Sequence, residues 1–228
     1  MQTKTDVAII IPAFEPDANL IKLVDKLEKR GYVNIIIVND GSSSTKIFEQ
    51  IKDKVVLLEH VKNYGKGRAL KTGFEYCVKK TNKITGVITV DADGQHQIED
   101  IEKVYETLMK NRESLILGSR NFLKKKIPLK SKMGNKIISY IMYKKTGVKL
   151  EDTQTGLRGI PSKYLRELLQ IEGNRFEYET NMIFYFIENK INIVEEKIKC
   201  VYINENKNTN YKPIKDTIRI GKIILRKK

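Results

Sequence analysis

Residues 86–97 read G-V-I-T-V-D-A-D-G-Q-H-Q. Asp91 and Asp93 stand one residue apart, directly after the β-branched run 87–90. Two carboxylates so placed in a loop can face one hard cation, and Mg²⁺ is commonly held by one or two carboxylates together with substrate phosphates. Gln95 offers a further oxygen one step on. The pattern predicts Mg²⁺ or Mn²⁺ on Asp91, Asp93 and Gln95, joining the loop to a nucleotide diphosphate. A D-x-D pair alone is more often a solvated loop, so the rest of the chain must carry the reading. His96 reads as a loop residue near the metal rather than a ligand.

The run before Asp91 has the look of a buried parallel strand, and in open α/β sheets ligands sit beyond the carboxyl ends of such strands. Other segments repeat the arrangement. Apolar strands are expected at 7–11, 33–38, 55–58 and 114–117, with helices at about 17–30, 47–51, 68–80 and 97–111 between them. The first strand ends in Pro12-Ala13-Phe14-Glu15-Pro16, where proline is expected to stop the ladder. The second ends in Asn39-Asp40-Gly41-Ser42, and Asp40 reads either as a ligand-facing carboxylate or as a cap on the next helix. The glycines of Asn63-Tyr64-Gly65-Lys66-Gly67-Arg68 permit close backbone approach at a helix start, a plausible anion site without the spacing of a P-loop. This alternation predicts an α/β, doubly wound and mostly parallel sheet.

Beyond residue 120 the character changes. Residues 121–149 hold nine Lys and no Asp or Glu, opening with Lys124-Lys125-Lys126 and enclosing an apolar helical stretch at 137–143. This is either a solvated basic loop before a core helix or a cationic, partly apolar surface for a membrane or an anionic acceptor. Residues 152–159 form a polar run with two glycines, followed by helices at 162–169 and 175–189 and strand-like stretches at 191–194 and 198–203. Tyr140, Tyr143, Phe184, Tyr185 and Phe186 read as core. A basic amphipathic helix is expected at 213–228, after a single domain at 1–212.

The 228 residues suffice for one large α/β domain, and the net charge of +15 favours anionic partners. Part of that charge follows from a Lys-, Asn- and Ile-rich composition, and no nucleic-acid motif accompanies it. Cys77 and Cys200 show no paired spacing and read as reduced thiols. No stretch approaches the length of a bilayer span, and no apolar leader opens the chain. The expectation is a cytoplasmic protein, peripheral at the inner face of the cell membrane.

Seven ordered pieces together resemble the family 2 glycosyltransferases of GT-A fold. They are I-I-P-A-F at 10–14, V-N-D-G-S at 38–42, N-Y-G-K-G-R-A-L at 63–70, V-D-A-D-G-Q-H at 90–96, G-S-R-N-F at 118–122, D-T-Q-T-G-L-R at 152–158 and Y-K-P-I-K-D-T-I-R-I at 211–220. The nearest group is similar to the dolichyl-phosphate mannose synthase-like and bacterial polyprenyl-phosphate sugar synthases. The resemblance implies a single Rossmann-like nucleotide-diphospho-sugar transferase domain. It implies that Pro12, Phe14 and Glu15 line the base and ribose, that Asp40 accepts a hydrogen bond from the base, and that Lys66 and Arg68 lie near the nucleotide. Asp91 would contact ribose or metal, Asp93 and Gln95 the metal, and Arg120 and Arg158 phosphate. Glu179 matches an acidic residue at a helix start, or is only a charge favoured there by the dipole. Two departures stand out. Glu15-Pro16 replaces an Asn-Glu pair, and the C-terminal membrane helices of many relatives are absent.

The reaction so implied is inverting displacement at the anomeric carbon of a nucleotide sugar, with UDP-GlcNAc or UDP-glucose the expected donor. With a polyprenyl phosphate acceptor the nucleophile is already an anion and needs positioning, from Lys130 and Lys132 of the basic segment. A hydroxyl acceptor on a polysaccharide or protein needs a general base, for which Asp152 is the candidate. Asp152 otherwise reads as a loop carboxylate ordering Arg158 or capping a turn. Lacking a spanning helix, the protein would be peripheral, work through a small integral-membrane partner, or use a soluble acceptor.

Overall fold

The structure is a computed structural model that describes residues 3–80, 84–120 and 129–199. Within them, β1 (Lys4–Ala13), β2 (Tyr32–Asn39), β3 (Val56–Glu59), β4 (Gly86–Thr89), β5 (Leu115–Arg120), β6 (Arg158–Pro161) and β7 (Ile193–Ile198) form one sheet. Its order is β3-β2-β1-β4-β6-β5-β7. Every neighbouring pair is parallel except those made by β6, which runs antiparallel to both β4 and β5.

Strand side chains alternate between faces, so one run of apolar residues serves two cores. On β1, Val7, Ile9 and Ile11 meet α1 (Ala18–Lys29) and α4 (Ile98–Lys110) through Leu20, Val24, Ile101 and Val104. Ala8 and Ile10 face the opposite way, toward α3 (Lys66–Lys79), α5 (Leu129–Thr146) and α7 (Glu177–Glu188), where Leu70, Phe74, Ile138 and Met182 close the second core. Two short helices, α2 (Lys46–Glu49) and α6 (Leu165–Leu169), complete the described layers. Local chemistry sets the ends of α1. The Asp17 Oδ1 accepts the Asn19 N–H at 2.8 Å, and Gly31 leaves the helix at φ 81.

Three expectations change. Proline does not stop β1: the strand runs to Ala13, with Pro12 opposite Val38 of β2. The Ile10 carbonyl accepts the Val90 N–H, so strand alternation turns the Pro12 nitrogen to the β4 side, beyond β4's last paired residue Thr89. No ladder donor is missed there. Second, the polar run ending at 159 closes into β6, whose four residues R-G-I-P carry little strand propensity and are held by neighbours on both edges. Third, the strand-like stretch expected at 191–194 is observed as β7, which continues to Ile198, while residues 200–203 of the stretch expected at 198–203 lie outside the described residues. Lys124-Lys125-Lys126, Cys200 and the helix expected at 213–228 lie outside the described residues. Among the described residues no helix is long and apolar enough to cross a membrane.

Candidate active site

From β1 the chain winds outward to β2 and β3 on one side, while β4 pairs on the other, so the strand order reverses between β1 and β4. Such a reversal opens a crevice at the carboxyl ends of the two strands. Asp91 sits there, two residues after the end of β4. It is met by Lys66, the first residue of α3, whose Nζ lies 2.7 Å from Asp91 Oδ1 and 2.8 Å from Glu179 Oε2. His96 Nε2 stands 3.3 Å from Asp91 Oδ2. Glu179 belongs to the first turn of α7, and its Oε1 is 4.0 Å from the Arg158 Nε.

Glycines let these pieces approach. Gly65 turns into α3 at φ 104, a left-handed conformation that side chains rarely take. A Cβ at Gly156 would fall 2.3 and 2.5 Å from the Asp91 carboxylate oxygens, so the bare backbone of the loop entering β6 packs directly on that carboxylate. The Thr89 hydroxyl fixes the same loop by donating to the Gly156 carbonyl at 2.7 Å.

The charges are unevenly balanced. Burial pushes the Asp91 carboxyl up, but Lys66 and His96 outweigh it and hold the group well below the usual carboxylate range. Burial likewise opposes the Lys66 charge, and Asp91 and Glu179 overcome it, so the ammonium is held above its usual range. Asp93 goes the other way: burial and the neighbouring Asp91 charge raise it. Its Oδ1 accepts the Gln95 N–H at 3.0 Å. Two neighbouring carboxylates, one of which resists ionisation, are a donor pair whose repulsion a divalent cation would relieve, although among the described residues no group of three or more His, Cys, Asp or Glu side chains is gathered to hold one.

Asp40 is 3% exposed at the end of β2. It does not cap the next helix. Its Oδ2 accepts the Gly65 N–H at 2.7 Å, and its Oδ1 accepts the Tyr64 N–H at 2.9 Å and lies 2.7 Å from His60 Nδ1. His60 Nε2 is 2.9 Å from the Thr72 hydroxyl. Asp40 thus holds the turn that delivers Lys66. Pro12, half-buried Phe14 and exposed Glu15 gather at the end of β1 beside it. Glu15, at φ 48, is tied to the Asp40 loop: its N–H donates to Ser42 Oγ at 2.9 Å and its Oε1 accepts the Ser43 N–H at 2.7 Å. Arg68 is engaged elsewhere on α3. It pairs with Glu75 at 3.0 Å and lines a pocket of about 350 Å³ with His60, Tyr64, Thr72 and Asn174.

Asp152 and Arg158 take framework positions. Asp152 is fully buried, and Arg120 grips it in a bidentate pair, Nε to Oδ2 at 2.6 Å and Nη2 to Oδ1 at 3.0 Å. Oδ1 also accepts the Gln154 N–H. The partner that Asp152 orders is therefore Arg120, not Arg158. Arg158, 1% exposed, donates to the carbonyls of Thr155, Glu179 and Thr153, which ties the loop to α7 instead of turning toward the crevice. Burial lowers its pKa, and Glu179 and Asp152 partly offset that. Lys132 is exposed on α5; Lys130 belongs to the same helix, but its side chain is outside the described residues.

The profile of Glycosyl transferase family 2 matches residues 8–169, a span from β1 through α6 that includes these stations except Asn174 and Glu179. The chain belongs to that family. A UDP-N-acetylglucosamine–dolichyl-phosphate N-acetylglucosaminyltransferase of Methanococcus voltae is 32% identical over 219 residues, covering 86% of each chain. An undecaprenyl-phosphate 4-deoxy-4-formamido-L-arabinose transferase of Aeromonas hydrophila is 29% identical over 164 residues, covering 67% of this chain and 48% of that longer one. Glucosyl-3-phosphoglycerate synthase of Mycobacterium tuberculosis, crystallised with Mn²⁺, UDP and glucosyl-3-phosphoglycerate, superposes with a TM-score of 0.69 over 97% of this chain and 77% of that one. At 12% identity that likeness shows the GT-A fold and nothing finer.

Two residues of this family 2 glycosyltransferase escaped the sequence reading. His60 follows β3 without a motif of its own, and only its place at a third strand end could have flagged it. Gly156 was visible as a loop glycine, but its contact with Asp91, 65 positions earlier, exists only in the fold.

Proposed function

We propose that the protein transfers a hexose or N-acetylhexosamine, from UDP-GlcNAc or UDP-glucose, to a polyprenyl phosphate at the inner face of the cell membrane, with inversion at the anomeric carbon. The names of the Methanococcus and Aeromonas relatives support a lipid-phosphate acceptor. Pro12, Phe14, Glu15 and Asp40 frame the nucleoside end. Asp91 and Asp93, with Gln95, would hold Mg²⁺ or Mn²⁺, which when bound supplies positive charge against the departing diphosphate. Lys66, fixed as an ammonium between Asp91 and Glu179, adds charge from the protein itself. Arg120, pinned by Asp152 at the end of β5, would meet the acceptor phosphate, together with Lys130 and Lys132 of α5.

The burial of Asp152 carries the choice of acceptor. A hydroxyl acceptor needs an open base, whereas both oxygens of Asp152 are held inside the protein. A phosphate anion needs only orientation. The test is transfer from UDP-GlcNAc, UDP-glucose and GDP-mannose to undecaprenyl phosphate in detergent, with EDTA and with added Mn²⁺. UDP-sugar transfer that stops with EDTA, returns with Mn²⁺ and is lost in Asp91→Asn and Asp93→Asn is expected. Sugar moving only onto a hydroxyl acceptor overturns the lipid reading, and activity at full rate in EDTA overturns the metal. A small membrane partner or a surface of the protein itself would bring it to the lipid.

A further inference from the structure

Resting on the lipid-acceptor reading, we infer that the outer face of α5 is the surface by which the protein lies on an anionic bilayer. Seven large hydrophobic residues are exposed among the described residues, and four of them are on this one helix. Met133, Ile137, Tyr140 and Tyr143 are 58%, 46%, 59% and 46% exposed. Their spacing of four, three and three keeps them on one side of a helix. Tyr140 and Tyr143, expected in the core, are therefore on the surface. The core side of α5 is supplied by Asn135, Ile138 and Met142, all buried. An apolar stripe left facing water marks an interaction site.

Charge selects the occupant. Exposed Lys132, Lys136, Lys144 and Lys145 border the stripe, and no acid occurs from 121 to 150. Lys144 Nζ lies 5.8 Å from the centre of the Tyr140 ring. Lysines with apolar stems and tyrosines with polar tips are the side chains that settle at a headgroup boundary. The 18-residue helix is roughly 27 Å long and too polar to span, which suits a helix lying in the plane of the interface.

The inner face shows what docking would accomplish. Asn135 Nδ2 donates to the Glu151 carbonyl at 2.7 Å, and its Oδ1 accepts the Thr153 N–H at 3.0 Å. Between these two anchor points is Asp152, which holds Arg120. The helix that meets the membrane is thus fastened directly to the loop whose Asp152 holds Arg120.

Co-sedimentation of the full chain with phosphatidylcholine vesicles, and with vesicles carrying about a third phosphatidylglycerol, tests this without donor or acceptor. The wild type is expected to bind the anionic vesicles, weakly in 0.5 M salt, and to ignore the neutral ones. Ile137→Glu/Tyr140→Glu should lower that binding at least tenfold, and Lys136→Gln/Lys144→Gln roughly 30-fold, with melting temperatures near wild type because all four positions are exposed. Both variants should retain transfer to detergent-solubilised polyprenyl phosphate. Undiminished binding by the Glu variant, or a wild-type dimer in sedimentation velocity that this variant dissociates, overturns the membrane face. A wild type that transfers sugar in detergent yet ignores anionic vesicles sinks the docking surface and leaves the function standing. Vesicle binding lost on these substitutions, with no sugar moved to any polyprenyl phosphate, does the reverse.

Discussion

Gly156→Ala isolates Asp91 more cleanly than any change to Asp91 itself. The added methyl would sit 2.3 Å from one carboxylate oxygen and 2.5 Å from the other, where ordinary contact begins near 3.4 Å, so the carboxylate must retreat by about 1 Å. The backbone accepts alanine, since Gly156 is not among the positive-φ glycines. The yielding atoms are the end of a side chain, so the fold itself need not give way. Gly→Ala at a compatible site commonly stabilises by about 0.4–1 kcal/mol through the unfolded chain, which offsets part of a weakened Lys66–Asp91 contact. A displacement of about 1 Å at a reacting centre costs on the order of 100-fold in rate, or about 2.7 kcal/mol. The expected result is kcat/KM for sugar transfer down about 100-fold, weaker Mn²⁺ dependence, and a denaturation midpoint close to wild type. Full activity in the variant would falsify the assignment of Asp91 to the donor. Loss of activity together with collapse of the midpoint would show that Gly156 matters for packing alone.

Asp152→Asn leaves Arg120 one acceptor and sets an amide N–H against its other donor, so it should lower stability yet hold transfer to lipid phosphate within about tenfold, whereas Asp152→Ala removes both acceptors and should cost about 3–5 kcal/mol in urea denaturation; a rate loss in the Asn variant far beyond that at full folding would point to a base after all. His60→Ala leaves Asp40 and Thr72 each short of a partner, at about 1–3 kcal/mol apiece; calorimetry with UDP should show weaker binding because the turn carrying Lys66 loosens, and unchanged affinity would separate Asp40 from the nucleotide. Burial pushes the Cys77 thiol up to about 12, so native protein at pH 8 should resist iodoacetamide at Cys77 and denatured protein should not, as peptide mass mapping would reveal. The sign for stability follows: the unfolded thiol ionises near its ordinary value while the folded one stays neutral, so Cys77 disfavours the folded state increasingly as pH rises from about 9 toward 12. Cys77→Ala should flatten that part of the pH–stability curve, and an unchanged slope would count against the shift.

Much of the architecture was present in the linear pattern, because burial and strand alternation are local. Val7 to Ile11 could only be a strand covered on both faces, and the acidic and glycine-rich stretches after the strands could only lie at their carboxyl ends. The amino-acid order alone therefore gave the α/β class, the rim where Asp40, Lys66 and Asp91 meet, and the pairing of Asp91 with Asp93 by adjacency. Three things depended on contacts between distant segments. β6 was hidden because R-G-I-P has little strand preference of its own and is held by β4 and β5. The partner of Asp152 was misassigned because sequence proximity favoured Arg158, whereas the loop turns Asp152 back to Arg120, 32 positions earlier. Tyr140 and Tyr143 were read as core because hydrophobicity alone does not say which side of an apolar helix meets the sheet. Asn135, by bonding to the loop at 151–153, turns α5 so that Ile138 and Met142 go inward and the tyrosines go out.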